Sequence, residues 1–216
     1  MIKIEHTDVY GFEAAIRGMR NPWNSWEKSD SYPTYIEDEH TLQRAPFEFF
    51  VGENDLALMK KLVSAGTDHS KFMRMINVTC DITAPMYWWS EYDTYKVGTV
   101  RNSCSKMHTI TNKEFELDDF SHEHLDLWGT SWLERIIDVL NVGLYSYLRS
   151  HDKDDWGQII QLLPSSYNQR ATLMLNYEVL TNMYHSRRTH KLDEWREFCK
   201  WIETLPYSEL ITGDTE

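Results

Sequence analysis

Residues 75–84 read MINVTCDITA, with Pro85 directly after. Ile76, Val78, Cys80, Ile82 and Ala84 alternate with Asn77, Thr79, Asp81 and Thr83. A period of two places the apolar set on one face of a β-strand and the polar set on the other. Pro85 ends the strand, and MYWWSEYDTY (86–95) begins a helix. Upstream, Leu56, Met59, Leu62 and Val63 recur at helical spacing, with Asn54 as the expected N-cap and Gly66 as the C′ residue. A helix, a short turn and a half-buried strand in that order set the class as α/β or α+β rather than all-α.

Outward from this centre, residues 2–5 suggest a strand, followed by a short helix carrying Phe12, Ile16 and Met19. Residues 21–53 hold NPWNSW, SYP and APF, and read as one long ordered loop. Residues 97–116 are polar and mixed. Ser121 is expected to open the longest helix, whose stripe comprises Leu125, Trp128, Trp132, Leu133, Ile136, Ile137, Leu140, Leu144 and Leu148. Trp156, Ile159, Ile160 and Leu163 mark a helix that stops at Pro164. Residues 166–187 read as helical, a last helix runs from Asp193 to Glu203, and the tail 207–216 is expected to fray. There is no internal repeat. The expectation is one α+β domain over 1–216, helix-rich with a small sheet.

The 216 residues carry 22 Lys and Arg against 34 Asp and Glu, a net charge of −12. A hydrophobic fraction of 41% and a charged fraction of 26% exclude disorder over most of the chain. The acidic balance argues against a nucleic-acid coat, which needs a broadly basic face. It leaves room for a small anionic ligand held by a few clustered arginines. Nine Trp and twelve Tyr call for a large core or a subunit interface. The first residues, MIKIEHTDVYGFE, lack the apolar stretch of a secretory leader, and no run of about 18 apolar residues suggests a membrane span. Cys80, Cys104 and Cys199 form no CxxC pair, so free thiols in the cytoplasm are expected.

The basic residues carry the candidate chemistry. Arg170 follows Pro164 by six positions near an expected helix start, which suits anion capture. Arg187 and Arg188 close the same helix. They answer either to its C-terminal dipole or to a ligand. Lys96, Arg101 and Lys106 lie upstream, and Cys104 in RNSCSK sits among them. Basic neighbours activate a thiol, whereas a small buried cysteine needs no such role. His122 and His124 flank Glu123 without an obvious third ligand, so no metal site is expected. His185 and His190 flank the arginines, and His69 in DHSKF faces a pocket or solvent. GxSxG, P-loop, HExxH and GxGxxG patterns are absent.

Three segments together resemble the flavin-dependent thymidylate synthases, the ThyX family. LALMKKLVSAG leads through DHSKF into INVTCDITAP, like that family's helix, His-containing turn and strand ending in Ala-Pro. WWSEYDTYKVGTVRNSCSKMH (88–108) stands where the family has RHRxxSxNExSxRY. LLPSSYNQRATLMLNYEVLTNMYHSRRTHKLDEW (162–195) resembles its nucleotide-binding segment. The resemblance covers residues 55–107 and 159–202 and implies a ThyX-like fold.

In the third segment the resemblance implies that Arg170 binds the phosphate side of the nucleotide and that Arg187 contacts and activates the uracil. It places Asn176 and Asn182 near the flavin and His190 within one position of a flavin-side histidine, and it adds His69 to the cofactor set. In the second segment the family's Arg-His-Arg falls on Thr94, Tyr95 and Lys96, and its Ser-x-Arg on Cys104, Ser105 and Lys106. Lys96 and Lys106 keep the charge but lose the arginine fork. With Cys104 they join Arg170 as the implied substrate-binding set.

The implied reaction methylates dUMP at C5, using methylenetetrahydrofolate and NADPH through FAD, in a homotetramer whose sites lie between subunits. Such chemistry needs cations on the phosphate and on developing uracil charge, and no protein nucleophile. The alternatives are a pyrimidine-nucleotide-binding protein on the same fold without flavin, a related nucleotide-modifying enzyme, or an interaction protein whose basic positions are only helix ends.

Overall fold

The computed structural model describes residues 2–37 and 44–213, with side chains for all of these except 35–37 and 44–48. In chain order the elements are β1 (Lys3–Tyr10), α1 (Phe12–Arg20), β2 (Tyr32–Glu37), β3 (Arg44–Phe50), α2 (Glu53–Ser64), β4 (Asn77–Pro85), α3 (Met86–Tyr92), β5 (Thr99–Ser103), α4 (Lys106–Thr109), α5 (Leu127–Ser150), α6 (Lys153–Leu162), β6 (Asn168–Asn176), α7 (Tyr177–Arg187), α8 (Asp193–Glu203) and α9 (Glu209–Thr212). The fold is α+β.

The main sheet has the order β1-β4-β6-β5, with every neighbour antiparallel. β4 and β6 pair without a bulge, from Asn77 opposite Asn176 to Pro85 opposite Asn168. The alternation in β4 does what its period requires. Val78, Cys80, Ile82 and Ala84 are buried, and they meet Leu175, Leu173 and Ala171 of β6 on the same face. Helices α3, α7 and α8 cover that face through Trp88, Leu180, Met183, Trp195 and Phe198. A second core joins α5 and α6 through Leu133, Ile137, Leu140, Leu144 and Ile159, with Ile110, Phe115 and Phe120.

Several expectations need correction. Residues 166–187 are a strand followed by a helix. Alternation in RATLMLN is present, but Ala, Leu and Met are strong helix formers, and no Gly or Pro separates the strand from the helix that follows. Arg170 therefore lies in a strand and not at a helix start. α5 begins at Leu127, where the Asp126 carboxylate accepts the Gly129 N–H at 2.7 Å, so Ser121 lies outside it. Its apolar stripe is split. Leu133, Ile137, Leu140 and Leu144 are buried, whereas Trp128 and Trp132 are 78% and 62% exposed. The polar stretch 97–116 contains β5 and α4. The tail from Tyr207 does not fray over its described part, because Leu210 and Ile211 of α9 are buried; 214–216 lie outside the described residues.

The stretch 21–53 contains the β2–β3 pair and two short 3-10 turns at Asn21–Trp23 and Trp26–Lys28, with 38–43 outside the described residues. Its described ends are tied down by one buried carboxylate. Asp55 accepts Arg20 Nε at 2.6 Å and the hydroxyls of Ser29 and Ser31 at 2.6 Å each. Asn54 is not the cap of α2. Gly52 occupies that position, and the Asp30 carboxylate takes the N–H groups of Asn54 and Asp55 at 2.9 and 3.1 Å. A cap from a residue more than twenty positions away leaves no local signal. Gly11 links β1 to α1 at φ +100°, where a Cβ would stand 2.1 Å from the Met75 carbonyl oxygen.

Burial pushes the Asp55 carboxyl up, but hydrogen bonds from Ser29, Ser31 and Arg20 outweigh it and hold the group below its ordinary 3.8. A folded-state value below the unfolded one stabilises the protein above the unfolded pKa and loses that contribution as pH falls. Asp55→Ala strands Arg20 and is expected to cost about 3–5 kcal/mol in urea denaturation at neutral pH. The difference from wild type should shrink as the pH is lowered below 4.

Candidate functional site

The C-terminal end of α7 meets α3 and the start of α8 at a carboxylate. Arg187 donates from Nη1 to Glu91 Oε2 at 2.8 Å and from Nε to the Tyr95 hydroxyl at 3.0 Å. Its guanidinium lies 4.8 Å from the Trp195 ring centroid and 5.6 Å from that of Tyr95. Trp195 Nε1 donates to the same Glu91 oxygen at 3.0 Å. His190 Nδ1 accepts the Leu192 N–H at 3.2 Å, which leaves Nε2 as the protonated nitrogen of the neutral ring, 3.4 Å from Glu91 Oε2. Arg187 is thus more than a helix-end charge: two side-chain acceptors and two rings orient it.

Glu91, His190, Tyr87, Lys191 and Leu192 line an open cleft of about 530 Å³. Behind it the Tyr87 hydroxyl donates to the buried Glu194 carboxylate and lies 3.1 Å from the Ser121 hydroxyl. Burial, and then the Glu194 carboxylate, push the Tyr87 phenol up, so it stays protonated as a donor.

A second group lies where β5 leaves the sheet. Arg101 donates to both Asp93 oxygens at 2.7 and 2.8 Å and to Gln169 Oε1 at 3.0 Å, and it lies 4.0 Å over the Trp89 ring. Gln169 donates to the Cys104 carbonyl at 2.7 Å. Lys106 Nζ sits 3.1 Å from Met86 Sδ, and burial, then Arg101, lower its pKa. Lys96 is exposed in the turn before β5. In that turn Gly98, at φ +76°, passes the Asn176 side chain so closely that a Cβ would stand 2.6 Å from Nδ2.

The remaining expected residues lie elsewhere. Arg170, on the solvent face of the sheet, donates to Asp81 Oδ2 at 2.8 Å. Hydrogen bonds from Thr172 and then Arg170 hold the Asp81 carboxyl below its ordinary range. Asn176 caps α7 by accepting the Val179 N–H at 2.9 Å, and Asn182 is exposed on that helix. His69 lines a different cleft, with Trp23, Leu58 and Phe72. His122 and His124 take separate partners, the Phe120 carbonyl and Asp193. Among the described residues no group of three His, Cys, Asp or Glu side chains is placed to hold a metal.

The structure therefore brings Arg187 to His190, but Cys104 and Lys106 turn to different partners, Thr109 and Met86, and within one chain the whole expected set is not gathered. Glu91, Trp195, Tyr87 and Glu194 were not expected. All four sit in quoted segments, MYWWSEYDTY and KLDEW, and only their contacts single them out.

The fold is that of the flavin-dependent thymidylate synthases. ThyX from Helicobacter pylori, solved in complex with FAD and dUMP, superposes with a TM-score of 0.69 at 16% identity, covering 99% of this chain and 100% of that one. A second structure of ThyX from Helicobacter pylori with FAD and dUMP gives 0.68 at 16%, covering 99% and 98%. The UMP/dUMP methylase PolB from Streptomyces cacaoi, bound with 5-Br dUMP, gives 0.59 at 14%, covering 99% and 95%. No protein-family model matches the chain, and no curated protein matches it in sequence.

The three thiols differ sharply. Cys80 and Cys199 are buried, which pushes their pKa values up to about 12 and about 11, while Cys104 is exposed. Titration of the native protein with a chromogenic disulfide at neutral pH is expected to label one thiol quickly, and three after denaturation. Cys104→Ser should abolish the fast phase.

Proposed function

We propose that the chain is an enzyme of the ThyX type that binds a pyrimidine nucleotide, dUMP, with its base at Arg187, and that works in the cytoplasm. The observation that carries this reading is the oriented Arg187 guanidinium, held by Glu91 and Tyr95 against Trp195 beside an open cleft. The likeness of fold to proteins solved with dUMP and with 5-Br dUMP supports it. A fixed cation beside a pyrimidine carbonyl stabilises negative charge on the ring when its C5 reacts, without reorganisation at that moment. The finer version of the reading is C5 methylation with methylenetetrahydrofolate and NADPH through FAD.

The residues assigned to the flavin do not form a cradle in one chain. His69 and His190 lie in different clefts, the Asn176 carboxamide oxygen is spent on a helix cap, and Asn182 is exposed on α7. That separation favours a second reading, nucleotide binding without flavin chemistry. A shared site offers the other resolution, in which copies of the chain bring these residues together. The exposed apolar face of α5, with Leu127 at 91%, Trp128, Trp132 and Val142, supports assembly with further copies, a homotetramer in this proposal.

The deciding experiment is the visible spectrum of the purified protein with added FAD and dUMP, followed by dUMP-dependent NADPH oxidation. Bound-flavin absorbance with turnover, on a species of four chains in light scattering, is the expected result. A colourless protein that raises its melting temperature with dUMP but never takes up FAD would establish the second reading.

A further inference from the structure

Glu91 and Arg187 do not exhaust each other. Glu91 Oε2 takes the donors of Arg187 and Trp195, with His190 Nε2 3.4 Å away, while Oε1 has no partner among the described residues. Arg187 uses Nη1 and Nε, while Nη2 has no partner among them. The pair therefore keeps one acceptor oxygen and one donor nitrogen, on two groups whose positions are fixed by the bonds already made. Glu91 also lines the open cleft, so ligand can reach it.

We propose that Glu91 is a specificity-determining residue for the base. Its free oxygen accepts a ring N–H, and Arg187 donates to the neighbouring carbonyl. Together they select a heterocycle edge that carries an N–H beside a C=O. This rests on the reading of Arg187 as the base-contacting residue. Among pyrimidines, uracil offers that edge through N3–H and its flanking carbonyl. Cytosine turns a bare N3 lone pair toward the carboxylate, and two acceptors facing each other cannot bond and repel. The same carboxylate, 2.8 Å from the Arg187 cation, opposes a phosphate at this end of the site, so the phosphate must bind away from it.

The test is titration calorimetry of the full chain with dUMP, dCMP and N3-methyl-dUMP. Wild type is expected to bind dUMP about tenfold more tightly than either of the others, the size of one unmatched polar contact in a partly open site. Glu91→Gln must keep its one oxygen on the donors of Arg187 and Trp195, which turns its N–H₂ toward the ligand, so dUMP affinity should fall while dCMP affinity rises. Equal binding of dUMP and N3-methyl-dUMP by wild type would overturn the proposal without any variant. So would a dUMP preference that Glu91→Gln leaves unchanged in a folded protein. Failure of wild type to bind any of the three would instead overturn the underlying assignment of Arg187, and this inference with it.

Discussion

The unbroken antiparallel pairing of β4 with β6 is the constraint on which the rest of the molecule depends. It runs from Asn77 opposite Asn176 to Pro85 opposite Asn168 and joins two segments about ninety positions apart in the chain. Each strand feeds directly into a helix. Pro85 turns β4 into α3, and Asn176 caps the start of α7 as β6 ends. Because the strands are antiparallel, α7 starts at the far end of the sheet from α3, and its last residue, Arg187, comes back to Glu91. Further bonds lock the α3 end. The Trp89 indole donates to the Gln169 carbonyl at 2.9 Å, and the Met86 and Tyr87 N–H groups donate to the Tyr167 and Ser165 carbonyls at 3.0 and 3.1 Å. A slip of one residue would turn every apolar side chain of β4 to solvent and separate Glu91 from Arg187.

Charge pairing is the second organising feature. In a chain of net charge −12, three of the arginines singled out from the sequence meet a carboxylate first. Arg187 pairs with Glu91, Arg170 with Asp81 and Arg101 with Asp93. A carboxylate already on a guanidinium takes up part of its capacity for phosphate. These positions are thus better suited to orienting a neutral or weakly charged ring than to holding a dianion unaided. Lys96, exposed and without an ion pair among the described residues, is the freer cation.

How much of this was legible depended on whether the signal was local. β4 is plain because β-branched residues alternate with polar ones and a proline ends the run. α8 is plain because Trp195, Phe198, Cys199 and Ile202 recur at helical spacing. β6 is hidden because its alternating residues are also good helix formers and no breaker separates it from α7. The anchoring of 21–53 is hidden because its partners, Arg20 and Asp55, flank the segment and Asp30 caps a helix across a gap in sequence. In the site, Arg187 and His190 were legible as residue types in an ordered segment. Glu91 was not, since a glutamate on a short helix reads as a solvated charge until the fold places an arginine and an indole on one of its oxygens.

Nucleotide binding at the end of α7 against α3 can be seen directly. A crystal structure of the chain grown with dUMP tests this most directly. Ring density within hydrogen-bond distance of the Arg187 guanidinium and Glu91 Oε1, with the phosphate directed away from that pair, is the expected result. Clear nucleotide density elsewhere on the chain, with the Arg187–Glu91 cleft empty, would contradict it.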